Sequence, residues 1–256
     1  MERYFDEVEE VLDTLLKQKD RPIKPKKHFS ASGAGQCMRR LILGRLGAKA
    51  TPLTAKQRRI FWLGDVIHEA LMSRLNATGR ILHTEEYVSD FGDPIVGRID
   101  FIWQANDGKS VLYDLKTTRT GVFWSKIARA TEAPEDNVFQ LITYFITNKK
   151  FKIDRIKLIY ISKEDGAMKS FTVEITEELV EKVKVWWKQV HSYLDKQKLP
   201  MVQPTEELQK RYYCGFCSYS SFYCFPSDTV PQSILDSNVK ELDWSTEIEK
   251  QVEKKS

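Results

Sequence analysis

Apolar positions along this chain recur with two periods, and the switches between those periods lay out its elements. Phe5, Val8, Val11, Leu12, Leu15 and Leu16 share one broad helical face over residues 2–18. Two prolines and four cations in Arg21-Pro22-Ile23-Lys24-Pro25-Lys26-Lys27 then make a stiff basic linker. Helical spacing returns at 36–46 and at 55–75, where Ile60, Leu63, Ile67, Leu71 and Leu75 form a stripe expected to face a core. The pattern changes to strands at 81–90 and 95–104, divided by Gly92-Asp93-Pro94, and a third strand at 110–117 follows the hairpin signal Asn106-Asp107-Gly108. Residues 134–148 are helical from Pro134, a favoured first-turn residue. Strands at 156–162 and 168–175 flank a second hairpin turn, Glu164-Asp165-Gly166, and a long helix at 176–198 carries Trp186, Trp187 and Tyr193. This order predicts a mixed α/β domain with one sheet flanked by helices. From residue 226 onward the chain is polar and rich in turn formers, and 234–254 reads as a loosely amphipathic tail.

Composition narrows the classes. The 256 residues, 41% of them hydrophobic, suffice for one substantial core. A net charge of +4 is too small to identify a nucleic-acid partner, so any basic surface must come from local clustering. No apolar run is long enough to span a bilayer, which argues against a membrane partner. The polar, acidic opening Met1-Glu2-Arg3-Tyr4-Phe5-Asp6 does not resemble a secretory signal, so a reducing, cytoplasmic location is expected.

The chemistry-bearing residues gather around the third strand. In Asp114-Leu115-Lys116 the first and last side chains share one face, while Leu115 points to the core and leaves its carbonyl near the carboxylate. Asp100 closes Gly97-Arg98-Ile99-Asp100 on the neighbouring strand, within reach of Asp114 across the hairpin. Two such carboxylates repel unless a cation lies between them, and Mg²⁺ or Mn²⁺ suits an all-oxygen set. Lys116 adds a compact positive charge suited to a phosphate or an attacking water. His68, four residues beyond Gly64 on one helical face, could reach this sheet edge as a further ligand, or simply be a surface histidine. Gln140 and Tyr144, also four apart, could hold a DNA backbone, brace the lysine, or merely fill the core. A D-x-K triplet alone has low specificity.

Four cysteines form the second constellation. Cys214 and Cys217 are spaced C-x₂-C, Cys224 follows, and Cys37 stands 177 positions before Cys214. Two disulfides fit the count but not a reducing compartment. Zinc or an iron–sulfur cluster both suit four thiolates, and residue types alone leave the two open. Either would staple residue 37 to the region 214–224. Tyr212, Tyr213, Phe216, Tyr219, Phe222, Tyr223 and Phe225 surround these cysteines as an aromatic shell or as core packing.

Taken in order, Gly64–His68, Gly97–Asp100, Asp114–Lys116 and Gln140–Tyr144 resemble the motifs of the PD-(D/E)xK nuclease superfamily, in its RecB-type branch. With Cys37 upstream and Cys214, Cys217 and Cys224 downstream, the chain is similar to the iron–sulfur subgroup that contains CRISPR-associated, Cas4-like exonucleases and their viral relatives. The resemblance covers about residues 30–225. It implies a restriction-endonuclease-like α/β core with a 4Fe–4S staple and Mg²⁺- or Mn²⁺-dependent DNA cleavage. It further implies that His68, Asp100, Asp114 and the Leu115 carbonyl bind metal, that Lys116 assists the attacking water, and that Gln140 and Tyr144 position substrate. Residues 1–29, a helix and basic linker, and the tail 226–256 lie outside it.

A nuclease of this kind is expected to take single-stranded or open-ended DNA, passed along cations with little sequence readout. Arg39, Arg40 and Arg119 are the cations singled out for that contact. An integrase or helicase partner would fit, and so would a DNA-end-binding accessory role or a zinc-stapled structural protein. Oligomeric state is left open by the sequence.

Overall fold

The computed structural model describes residues 7–20, 26–84, 87–90, 95–196, 198–200, 214 and 217–224. The tail from 226, the Gly92–Pro94 turn, most of the basic linker, and Tyr212, Tyr213, Phe216 and Phe225 of the aromatic shell lie outside those residues.

The helices fall where the periodicity placed them: α1 Glu7–Gln18, α2 Met38–Leu46, α3 Ala55–Asn76, α5 Glu135–Thr147 and α6 Glu177–Asp195. Local chemistry sets their ends. Thr54 and Gln57 form a reciprocal capping box that starts α3, and the Thr176 hydroxyl accepts from Leu179 N–H to start α6. Gly47, at φ 72°, closes α2 in the left-handed conformation that glycine alone adopts without strain. The region 118–133 gave no pattern. There a short turn, α4 Thr120–Val122, runs on into the π-helical turn Phe123–Ile127, which buries Phe123 and Ile127.

The single sheet expected from the sequence is two sheets. The larger has five strands in the order β2-β5-β6-β7-β8: β2 Ile81–Thr84, β5 Phe101–Gln104, β6 Ser110–Thr118, β7 Arg155–Ser162 and β8 Met168–Val173. Its pairs are antiparallel except β6–β7, which run parallel with the α4–α5 segment between them. The smaller sheet is β1-β4-β3, made from β1 Phe29–Ser30, β4 Ile95–Arg98 and β3 Tyr87–Asp90. Each of the two long strands read at 81–90 and 95–104 thus divides, one half going to each sheet. The second divides at Ile99 and Asp100, where Ile99 is buried and the Asp100 carboxylate accepts the Leu115 N–H at 2.7 Å. A side chain that takes a backbone donor ends the ladder there and bends the chain.

The core lies between the larger sheet, α5 and α6. Ile102, Leu112, Ile156 and Leu158 from the sheet meet Leu141 and Ile142 of α5 and Val183, Trp187 and Val190 of α6. Trp187 finishes the packing by donating its indole N–H to Thr143 at 2.9 Å.

α3 departs from expectation. None of its residues is buried, and Ile60, Phe61, Leu63 and Val66 are exposed. The helix lies against α1, with Arg59 paired to Glu9 and Arg58 to Asp20, and touches the large sheet at β6. Of its apolar stripe, Ile60 and Leu63 are exposed, Ile67, Leu71 and Leu75 are half-buried, and Ile60 lines a cleft instead of a core. Among the described residues no helix is long and apolar enough to cross a membrane.

Candidate active site

Register on the large sheet brings the two aspartates together. β5 and β6 pair Phe101 with Tyr113, so one further step places Asp100 opposite Asp114. β6 is the central strand, and α5 packs across it. Asp114 is 2% exposed. Its Oδ2 lies 2.8 Å from Lys116 Nζ as an ion pair, the one polar partner this buried oxygen has among the described residues. Its Oδ1 accepts from Gln140 Nε2 at 3.1 Å. Gln140 Oε1 in turn accepts from Lys116 Nζ at 2.9 Å, and its Nε2 also donates to the Tyr144 hydroxyl at 2.7 Å. One amide thus clamps the aspartate, the lysine and the tyrosine. His68 reaches from α3 to place Nε2 3.3 Å from Asp100 Oδ2.

Burial dominates the electrostatics. It pushes the Asp114 carboxyl up to about 6; Lys116 opposes the shift and Asp100 adds to it. Tyr144 is raised too, first by burial and then by the Asp114 charge, so its phenol stays protonated. These groups open into a cleft of about 800 Å³ between α3 and the sheet. Its lining adds residues that sequence reasoning did not single out as site residues: Phe61, Asp65, Glu69, Arg98, Thr117 and Lys163. Two had a visible signal, since Asp65 and Arg98 stand inside the two motifs quoted above. Lys163, donating to the Ile60 carbonyl at 2.9 Å, is brought in only by the tertiary fold.

His68, Asp100, Asp114, Leu115, Lys116, Gln140 and Tyr144 are therefore neighbours in space. Gln140 and Tyr144 are each 4% exposed, so bracing of the lysine and carboxylate replaces the expected grip on DNA. The three arginines differ. Arg39 is 2% exposed and donates to the Pro200 and Tyr223 carbonyls at 2.7 and 3.1 Å, so the expected phosphate contact gives way to a structural one. Arg40 is half-buried and bonds Gln36, while Arg119 is exposed just past the end of β6.

The cysteines converge as well. All four are free and half-buried. Burial pushes Cys214 up to about 11 and Cys224 up to about 12, and in both the other thiols add to the rise. Cys37 is raised by burial, with Cys217 adding to it. The π-helical turn Ser220–Cys224 is anchored to the rest: Arg39 holds Tyr223 O, and Tyr223 Oη accepts from Lys49 N–H at 3.1 Å. Among the described residues no three His, Cys, Asp or Glu side chains are already close enough together to hold a metal ion.

A mixed sheet flanked by helices, whose central strand presents a D-x-K triplet opposite a second aspartate in an open cleft, defines the architecture of a nuclease core. The chain belongs to the PD-(D/E)XK nuclease superfamily, whose family model matches residues 73–224, more than half its length. It is thus a hydrolase of DNA, from a superfamily whose members use divalent metals such as Mg²⁺ or Mn²⁺. The match spans Asp100, Asp114, Lys116, Gln140 and Tyr144 but begins after His68 and Cys37. Among solved structures, SSO0001 is similar with a TM-score of 0.53 and 18% identity over 85% of this chain and 96% of its own. An alkaline exonuclease from Laribacter hongkongensis aligns with 73% of this chain and 93% of its own at 13% identity, with a TM-score of 0.48. No curated protein matches the chain in sequence.

Proposed function

We propose that this protein cleaves single-stranded or open-ended DNA with a divalent cation held by Asp100, Asp114, His68 and the Leu115 carbonyl. The observation that carries this reading is the pairing of two carboxylates, Asp100 opposite Asp114 on β5 and β6, with His68 beside them at an open cleft. Two carboxylates held this close repel, and the one Lys116 ammonium does not offset both, so a cation between them is favoured. Mg²⁺ or Mn²⁺ would supply charge neutralisation at the phosphate and a more acidic water. Lys116 presents its ammonium on the same face, held by Gln140 so that it cannot swing away. That fixed charge suits the extra negative charge of an in-line phosphate displacement. Tyr144 keeps the amide turned so that both its ends stay engaged. The test is end-labelled linear single- and double-stranded DNA beside circular DNA, each with Mg²⁺ or Mn²⁺. Shortening of the linear strands with circles intact is expected; circles cut as fast as linear strands would remove the preference for ends.

Protonation supplies a second check. The ion needs Asp114 ionised, and its carboxyl sits at about 6 in the absence of metal. Proton and cation therefore compete below that pH, and one proton leaves on binding. Calorimetric Mn²⁺ affinity should fall about tenfold from pH 7 to pH 5. A flat affinity from pH 5 to 7.5 would mean that Asp114 is not a ligand.

For Cys37, Cys214, Cys217 and Cys224 we infer a 4Fe–4S cluster. Support comes from Arg39, a buried guanidinium that no carboxylate pairs among the described residues. Its charge favours the thiolates of Cys37 and Cys224. Metal–thiolate chemistry would give that cation its counter-charge and bring down the raised thiols. Anaerobically purified protein should be brown, with iron and acid-labile sulfide in equal amounts. A colourless, zinc-loaded protein would reverse the assignment.

A further inference from the structure

A second polar recess, of about 260 Å³, lies between β1, the short 3₁₀ turn Ala31–Gly33, α2 and the Ser218–Tyr219 turn. Lys26, Arg40 and Arg45 supply its positive charge, His28 a ring nitrogen, Ser30 and Ser32 its hydroxyls, and none of its lining among the described residues is acidic. The cations are partly fixed in place. Gln36 donates to Ser32 O at 2.9 Å and accepts from Arg40 Nη1 at 3.1 Å, which holds the guanidinium at the recess. Arg45 lies 5.8 Å over the Phe29 ring. The Ser30 and Ser32 hydroxyls are 2.7 Å apart, so one donates to the other and the other proton is left to turn toward a ligand.

The position of the recess matters as much as its charge. Ser30 pairs with Val96 on β4, and Arg98, two residues further along that strand, lines the catalytic cleft. Two strand residues span roughly 7 Å. Gly97 lies between them, where a Cβ would stand 2.7 Å from Ala31 and 2.4 Å from the Tyr144 ring. The recess and the cleft therefore sit on either side of one closely packed glycine.

We propose that this recess is a phosphate-binding subsite of the DNA strand, distinct from the catalytic cleft, with Arg40 and Arg45 as its principal ligands. The proposal rests on the nuclease reading for the identity of its ligand. The recess takes a phosphate and not an apolar group because its walls carry guanidinium, ammonium and hydroxyl donors, with no carboxylate among the described lining residues to compete. A strand whose scissile phosphate lies at Asp114 brings another phosphate of the same strand to Arg40, which fixes the strand's path without reading its bases.

Fluorescence anisotropy in EDTA, where no cleavage occurs, tests this directly. Single-stranded oligonucleotides of one sequence, with a 5′-phosphate or a 5′-hydroxyl, are titrated against full-length protein at several salt concentrations. Arg40→Gln and Arg45→Gln should each weaken binding about tenfold and lower the salt slope by about one. Lys188→Gln, at an exposed α6 position that lines neither the recess nor the cleft, should match wild type. Inorganic phosphate should compete against wild type and not against Arg40→Gln. A 5′-phosphate advantage in wild type that disappears in Arg40→Gln identifies the terminal monoester as the ligand; equal weakening on both oligonucleotides identifies a backbone diester. Folded arginine variants that bind like wild type, or a Lys188→Gln loss of the same size, overturn the proposal. Should Arg40→Gln not fold, Lys26→Gln at the exposed rim is judged by the same criteria. Cleavage with Mn²⁺ is scored separately. Wild type that binds through Arg40 but never cuts keeps the subsite and removes the nuclease reading. Wild type that cuts while Arg40→Gln binds normally does the reverse.

Discussion

Asp114→Asn loses at least about a hundredfold in cleavage rate, the size of effect seen when one preorganised electrostatic group is removed, yet its metal-free form melts a few degrees above wild type at pH 8. The two outcomes have one cause. The Asp114 carboxyl is raised from 3.8 to about 6 mainly by burial, so the folded state holds its proton more tightly than the unfolded chain does. Ionising it costs stability: the cost is absent below pH 3.8, grows as pH rises toward 6 and is fully present above. Asn is nearly isosteric and neutral. Its carbonyl oxygen keeps the Gln140 contact and the charge is gone, while its NH₂ replaces Oδ2 and leaves the Lys116 ammonium to shift toward water. Lys116 is not stranded by the change, because its side chain is 27% exposed and still bonds Gln140. Removing one member of a fully buried pair would strand the other and destabilise strongly; here the partner reaches water. Activity assays beside melting curves at pH 5 and pH 8 decide the matter. A variant that is inactive and equally destabilised at both pH values would show that Asp114 serves folding, and the catalytic assignment would fall.

That cost explains which parts of the site were readable from the sequence and which were not. The carboxylate–lysine geometry follows from strand period and hairpin register. Asp114 and Lys116 share a face because they are two apart, and Asp100 opposes Asp114 because Phe101 pairs with Tyr113. Helical spacing likewise put Gln140 beside Tyr144. Their burial was not readable, because it depends on α5 being covered by the sheet on one side and by α6 on the other, and no local pattern encodes that. The split into two sheets was hidden for a related reason. Residues 95–104 read as one strand, and only the tertiary bond from Leu115 N–H to Asp100 interrupts it. α3 shows the reverse failure. Its period was correct, but an apolar stripe cannot tell a core from a surface: no residue of the helix is buried, and Ile60 lines the cleft. Neighbouring Arg39 and Arg40 read alike as surface charges; one is sealed inside the fold and the other faces a polar recess. A helix rotates successive residues by about 100°, so adjacent arginines point to different surroundings.

Arg39→Ala is expected to cost about 3–6 kcal/mol, from two hydrogen bonds made by a charged group at about 1.5–3 kcal/mol each. In a fold stabilised by roughly 5–15 kcal/mol in total, that is a large share. The guanidinium is 2% exposed and bridges Pro200 O and Tyr223 O, two carbonyls that stand 161 and 184 positions away in the chain. It is therefore what ties α2 to the returning segment that carries Cys224. Truncation would leave both carbonyls buried without their donor and open a hole the size of the side chain. Lys cannot substitute, since one ammonium does not reproduce the fork that meets two separate acceptors. Denaturant midpoints of wild type, Arg39→Ala and Arg39→Lys measure the loss. Limited proteolysis should cut both variants first between residues 200 and 224. The chromophore, if iron is bound, should bleach with the same transition. DNA affinity of the fraction that remains folded should keep its wild-type salt slope, because Arg39 meets carbonyls and not phosphate. An Arg39→Ala protein with an unchanged midpoint and a weaker, less salt-sensitive grip on DNA would put the residue back on the nucleic-acid surface.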